Sequence, residues 1–255
     1  LPLLQQAHIA VFGIGGVGTW AAEALARTGI GSITLIDADD VCITNTNRQL
    51  HALQSTIGHG KTAALAARLR DINPEIAVHE IMQFVTIDNV RELITTQFDA
   101  VIDASDTAAA KSAIIANCRR NKIPVITVGS AGGKTDPRKI TSGDLSRTTA
   151  DPLLSKVRQQ LRRFYHFPAN SKLRFSIEAV YSEEPMRYPQ PDGSVCAQKN
   201  TMEHGVKLDC SGGFGSATMV TASFGMVAAA RAVARYLERN DARSKPDNAR
   251  PESIV

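Results

Sequence analysis

The 255-residue chain has only four cysteines, Cys42, Cys118, Cys196 and Cys210, and no two of them stand in a C-x-x-C pair. That spacing excludes a zinc cage built from paired thiolates and the disulfide framework of a small secreted domain, and it fits a reducing cytoplasm. A secretory leader is not expected from the first residues. The opening "LPLLQQAHIA" has neither a basic start nor a long apolar core, and the chain is expected to begin partway into a longer one. Charge of one sign is scarce: the formal net charge is +4 and the pI about 8.9, an excess that permits a polyanionic partner without requiring one. Long runs of Leu, Ile and Phe are also lacking. The uncharged stretch 212–230, "GGFGSATMVTASFGMVAAA", is built from Gly, Ala, Ser and Thr, so it reads as a buried helix and a membrane span is not expected. No internal repeat is visible.

What the chain does have is a regular alternation. With 43% hydrophobic and 21% charged residues it can bury a substantial core. Short β-branched runs at 8–12, 32–36, 76–81, 100–103 and 124–128 alternate with helix-like segments at 17–27, 61–73, 87–95 and 108–121. Strands separated by helices of that length imply right-handed crossovers and a mostly parallel, doubly wound α/β sheet with helices on both faces. Ligands of such sheets bind at the carboxyl ends of the strands. After Gly129 the rhythm changes: "GSAGGKTDPRKITSGD" is turn-rich, "DPLLSKVRQQLRRF" predicts a basic helix and "LRFSIEAVYS" a strand. A Pro- and Gly-rich loop, "EEPMRYPQPDGS", leads to a helix at 217–237, and the residues beyond it read as a solvated, largely disordered tail. The expectation is a single domain over 1–240, with a core at 1–140, an extension of additional strands and a helix at 141–240, and a tail at 241–255.

Gly13, Gly15 and Gly18 in "VFGIGGVGTW", with Gly16 between them, fit G-x-G-x-x-G at a strand-to-helix turn, where backbone approaches a phosphate at a helix N-terminus. Asp37, at the end of the next strand, is placed to accept hydrogen bonds from a ribose. So far an NAD-dependent dehydrogenase fits equally well. The segment "LIDADDVCITNTNRQLHAL" separates the readings, because it sets Asp37, Asp39, Asn45, Asn47, Arg48 and Gln49 in one loop, and Lys61 opens the next helix. A dinucleotide has little use for that extra Arg and Lys; a nucleoside triphosphate does, because charge accumulates on its leaving pyrophosphate. Asp103 and Asp106 follow the fourth strand as two carboxylates expected at the mouth of the same crevice, a spacing that suits Mg²⁺ held partly by phosphate oxygens.

These residues resemble the ThiF/MoeB/E1-like superfamily of ATP-dependent adenylating enzymes over residues 8 to about 140. The match is carried by "GIGGVG" at 13–18, "DADDV" at 37–41, "NTNRQ" at 45–49, Lys61 and "DASD" at 103–106. The resemblance implies a Rossmann-like fold, with Asp37 on the ribose, Asn45 and Arg48 on the phosphates beside Gln49, and Lys61 on the β- and γ-phosphates. It also implies Asp106, with Asp39, on magnesium, and Arg48, Lys61 and Asp106 as the catalytic set. Three departures stand out: Thr107 occupies the position where the family has Asn, the zinc cysteine pairs of carrier-protein enzymes are missing, and no Arg precedes Arg27 to serve a partner subunit.

The second half, in "VGSAGGKTDPRKI", "DPLLSKVRQQLRR", "YPQPDGSVCA" and "LDCSGGFGSATMVTASFG", is similar to the bacterial branch of that superfamily that dehydrates threonylcarbamoyladenosine in tRNA. The resemblance implies an ATP-dependent cyclisation of the modified nucleoside, a homodimer, Mg²⁺ and a monovalent cation (Na⁺ or K⁺), and partnership with a cysteine desulfurase and its sulfur acceptor. Lys156, Arg158, Arg162, Arg163, Lys172 and Arg174 are the candidates for tRNA contact, although their spacing cannot put them all on one helix face; an ordinary solvated basic helix is the competing reading. Cys210 precedes glycines that lead into a helix, where a thiolate would be favoured, against the alternative of a packed, inert cysteine. Adenylation of a sulfur-carrier protein's C-terminus, a non-catalytic subunit and an NAD-dependent oxidoreductase are the competing functions.

Overall fold

A computed structural model describes residues 1–170, 172–189, 195–196 and 215–244. After a short helix α1 (Pro2–Gln5), the chain runs β1 (His8–Phe12), α2 (Gly18–Arg27), β2 (Ser32–Ile36), α3 (Lys61–Ile72), β3 (Ala77–Ile81), α4 (Val90–Leu93), β4 (Ala100–Asp103), α5 (Ala108–Arg120) and β5 (Val125–Val128). There follow β6 (Ile140–Asp144), α6 (Pro152–Phe164), β7 (Glu178–Ser182) and α7 (Thr218–Ser244). The seven strands form one sheet in the order β3-β2-β1-β4-β5-β7-β6. All neighbours are parallel except β6, which runs antiparallel to β7.

Burial explains the sheet. Central strands such as "HIAVF" and "AVID" are apolar on both faces because helices cover both. Ile9 and Val11 pack with α2, α3 and α7 on one side, whereas Ala10 and Phe12 pack with α4, α5 and α6 on the other. Helix α7 lies close against α2: a Cβ on Gly225 would stand 2.6 Å from the Val17 carbonyl oxygen, so only glycine lets the backbones approach this far. At the far side, Glu178 of β7 is gripped by Arg231 and Arg235 of α7. Among the described residues no helix is long and apolar enough to cross a membrane, and residues 218–230 of the Ala- and Gly-rich stretch form the first half of α7.

Four expectations change. The turn-rich segment after Gly129 contains β6, an edge strand that is half-buried throughout and so shows no hydrophobic alternation. The strand expected from residue 173 begins only at Glu178, because the Asp144 carboxylate accepts the Phe175 and Ser176 amides and Ser176 takes a positive φ of 56°. The helix expected at 87–95 shrinks to α4. Helix α7 continues to Ser244, past the boundary at 240, and residues 245–255 of the tail lie outside the described residues.

Candidate active site

The strand order reverses between β1 and β4, which opens a crevice at their carboxyl ends. Gly13 turns the chain there with φ +84°, and a Cβ on it would fall 2.7 Å from the Ala104 carbonyl oxygen. The glycine turn is therefore pressed directly against the loop that carries Asp106. Gly18 starts α2 so close to the turn that a Cβ would lie 1.9 Å from the Gly13 oxygen. The amides at this end of α2 face the crevice as an anion site.

Asp37 directly follows β2 and braces the turn: its carboxylate accepts the Ile14 amide at 2.6 Å and the Asp39 amide at 2.9 Å. Burial pushes its pKa up, against the pull of the Asp39 amide, Lys61 and the Ile14 amide. Arg48 lies over the same turn, since a Cβ on Gly16 would stand 3.2 Å from Arg48 Cγ. Its guanidinium donates to the Thr44 carbonyl (2.9 Å) and to Asn47 Oδ1 (3.0 Å), both of them neutral acceptors, and it forms no ion pair among the described residues. Gln49 Nε2 is 4.0 Å from where a Cβ on Gly15 would be, and Gln49 Oε1 is buried with no partner among the described residues. An orphaned acceptor beside an amide-lined turn fits a polar ligand better than a packed core.

Lys61, the first residue of α3, is buried and places its ammonium 2.7 Å from the half-exposed Asp39 carboxylate. Asn45 is buried as well, with Oδ1 accepting the Cys42 amide at 3.0 Å, so it shapes the 43–49 loop. The expected pair of carboxylates after β4 is corrected. Asp103 is fully buried, ion-paired to the equally buried Lys111 at 3.2 Å and hydrogen-bonded to Thr127 and Ser105. Asp106 alone of the two is exposed at the crevice. Thr107, where the family has Asn, caps α5 by accepting the Ala110 amide. Among the described residues no cluster of three or more His, Cys, Asp or Glu side chains could enclose a metal unaided, and the donor set here, Asp39 and Asp106, fits an ion completed by phosphate and water oxygens.

Several site residues escaped the sequence reading. The start of α7 ties down the 43–49 loop: Asn47 Nδ2 donates to the Ser216 carbonyl and Thr218 Oγ1 to the Asn47 carbonyl, while Trp20 Nε1 of α2 donates to the Arg48 carbonyl at 3.1 Å. A run of Ser and Thr at the front of an apolar helix, together with the single tryptophan, was the available signal. His51 donates Nε2–H to the Ile14 carbonyl from beneath the turn, and burial lowers its pKa to about 4.

The basic candidates separate into two groups. Lys156, Arg163, Lys172 and Arg174 are exposed. Arg158 and Arg162 are half-buried, the first bonded to Thr148 and the second to the Pro168 carbonyl with its guanidinium over Phe175. Cys210 lies outside the described residues.

The ThiF family profile matches residues 3–250. The tRNA threonylcarbamoyladenosine dehydratase of Escherichia coli K12 is 52% identical over 94% of this chain and 89% of that protein. The enzyme of the same name from Haemophilus influenzae is 49% identical over the same shares of each chain. A crystal structure of the E. coli dehydratase in complex with ATP superimposes with a TM-score of 0.83 and 46% identity, over 96% of this chain and 90% of that one. With its glycine turn at the β1–β4 crevice, and with relatives this similar over nearly its whole length, the chain belongs to the ThiF family.

Proposed function

We infer that the chain is an ATP-dependent dehydratase that cyclises N6-threonylcarbamoyladenosine in tRNA. The observation that carries this reading is the convergence of the glycine turn, Asp37, Arg48 and Lys61 on the β1–β4 crevice, in a chain whose second half is shared with dehydratases. The threonyl carboxylate attacks the α-phosphorus of ATP; a carbon-bound oxygen becomes bonded to phosphorus, the α–β anhydride breaks and pyrophosphate leaves. An atom of the substrate's own urea group then attacks the activated carbonyl, closing a five-membered ring, losing its proton and expelling AMP. Ring closure is intramolecular, so proximity replaces a protein nucleophile. Arg48 and Lys61 stabilise the charge that moves onto the departing pyrophosphate, and Asp37 holds the ribose.

Asp106 and Asp39 are the residues that would hold Mg²⁺, which supplies further charge neutralisation at the phosphates. The same reading includes Na⁺ or K⁺ as a monovalent cofactor, a homodimer, a cytoplasmic setting, and tRNA backbone contacts from the exposed Lys156, Arg163, Lys172 and Arg174. ATP–pyrophosphate exchange tests the function, run with modified tRNA, with a sulfur-carrier protein and with neither. Exchange that requires threonylcarbamoylated tRNA is the expected result; exchange driven by the carrier protein overturns it.

A further inference from the structure

The carboxyl edge of the sheet carries one more concavity. A cavity of about 410 Å³ lies between the first turns of α6 and the 185–188 segment, walled among others by Asp151, Ser155, Arg158, Met186 and Tyr188. Its position follows from Asp151, whose Oδ1 accepts the Leu154 amide as the cap of α6 and whose Oδ2 accepts the Ser130 amide just past β5. A Cβ on Gly129 would fall 2.1 Å from that Oδ2, so the end of β5 is held against α6. Strand β5 is beside β4, and β4 is beside β1, in register at Thr127, Asp103 and Phe12. At about 4.8 Å per strand, the end of β5 that Asp151 grips stands roughly 10 Å along the same edge from the end of β1, which leads into the glycine turn.

Arg158 is the unusual group in it. The guanidinium is half-buried, bonds the Thr148 hydroxyl, and forms no ion pair with any carboxylate among the described residues. Burial and the neighbouring Arg162 both disfavour its charge, and Asp151, the opposing carboxylate, already has both oxygens engaged. A half-buried cation that forms no ion pair among the described residues, and whose opposing carboxylate is already committed to two amides, is a ready partner for an incoming anion. The volume suits a nucleoside-sized ligand, and Tyr188 supplies an aromatic wall of the kind on which unstacked bases rest.

We propose that this cavity receives the modified nucleoside, with Arg158 pairing with the threonyl carboxylate and Tyr188 supporting the base. The proposal rests on the dehydratase reading and deepens it. Arg158 holds one carboxylate oxygen while the other remains available for the α-phosphorus in the adjoining crevice. The residue thereby distinguishes modified from unmodified adenosine, which has no carboxylate to offer.

The test uses the full chain as wild type, Arg158→Gln and Tyr188→Leu. ATP affinity is measured by calorimetry, together with affinity for modified and unmodified tRNA at one salt concentration and KM and kcat for cyclisation. Arg158→Gln is expected to keep its ATP affinity and its affinity for unmodified tRNA, while KM for modified tRNA rises about tenfold or more and the preference for modified tRNA disappears. Equal weakening toward both tRNAs would make Arg158 a backbone contact and overturn the proposal, as would unchanged preference. If Arg158→Gln loses ATP affinity through misfolding, Arg158→Lys and Tyr188→Leu decide on the same criterion. A wild-type chain that neither exchanges pyrophosphate nor cyclises modified tRNA refutes the functional reading itself, before any variant is compared.

Discussion

The Lys61 ammonium and the Asp39 carboxylate lie 2.7 Å apart at the head of α3, so the residue assigned to the outer phosphates and one assigned to the metal hold each other. Asp39 is about half exposed, and the pair itself adds little stability. Its value lies in holding the buried ammonium in one place at the head of α3. Lys61→Met is expected to lower ATP–pyrophosphate exchange by about 10²- to 10³-fold, the usual effect of removing one charged group that stabilises a transition state. Asp39→Asn is expected to raise the Mg²⁺ concentration needed for half-maximal exchange. An unchanged Mg²⁺ titration would reduce Asp39 to a tether for Lys61.

Gly13 and Gly58 both have positive φ, +84° and +85°, yet only Gly13 has backbone within reach of a Cβ. Gly58→Ala carries the conformational penalty alone, about 1 kcal/mol. Gly13→Ala must in addition push the 104–105 backbone away, which moves Asp106. Urea melts and ATP titrations are expected to show a clearly larger loss of stability for Gly13→Ala, and a loss of ATP affinity confined to it. Equal effects would remove the close approach from the explanation.

The Asp103–Lys111 pair is fully buried on both sides, with Thr127 and Ser105 completing the carboxylate's bonds. Breaking such a pair leaves an uncompensated charge in the core, so Lys111→Met is expected to cost about 3–5 kcal/mol. The double variant Asp103→Asn with Lys111→Met should recover part of this. Denaturant unfolding of the two variants checks it; a double variant less stable than Lys111→Met alone would contradict the charge argument.

How far the sequence could foretell this site depends on the range of the interactions involved. The glycine turn, the Asp37 strand end and Lys61 at a helix start are local patterns, and each is where spacing put it. Asp103 was not legible as a core residue, because what neutralises it is Lys111 in the first turn of the next helix and Thr127 on another strand. Likewise β6 has no alternation to read, since an edge strand half-covered on both faces needs none. The anchoring of Arg48 and Asn47 by the start of α7 joins residues about 170 positions apart. Thr107 was readable in principle: a Thr three residues ahead of a bonded amide is an ordinary helix cap.

His51 gives the site a pH signature. Its pKa falls from 6.5 in the unfolded chain to about 4 in the fold, chiefly through burial. Below pH 6.5 the unfolded state therefore binds the extra proton, and stability falls as pH drops through the window down to about 4. The contribution is at most about 3 kcal/mol at one proton's slope. His51→Gln is expected to flatten the urea midpoint between pH 6.5 and 4, leaving the remainder to groups such as His8, whose pKa is also lowered by burial. A variant with the wild-type slope would take His51 out of the acid transition.

Lys156 and Arg163 are seven residues apart on α6, two turns along one exposed face, whereas Arg158 and Arg162 are turned toward Thr148 and Phe175. Phosphate binding is therefore proposed for the first pair. Removing one basic side chain from a phosphate should reduce the slope of log affinity against log salt by about 0.7 to 0.9. Lys156→Ala with Arg163→Ala is thus expected to flatten that slope by about 1.4 to 1.8, with modified and unmodified tRNA weakened alike. Specificity should stay intact, because charge on the backbone reads no base. A double variant with an unaltered slope would leave these two side chains as solvated surface, and the basic face of α6 would have to be placed elsewhere than against RNA.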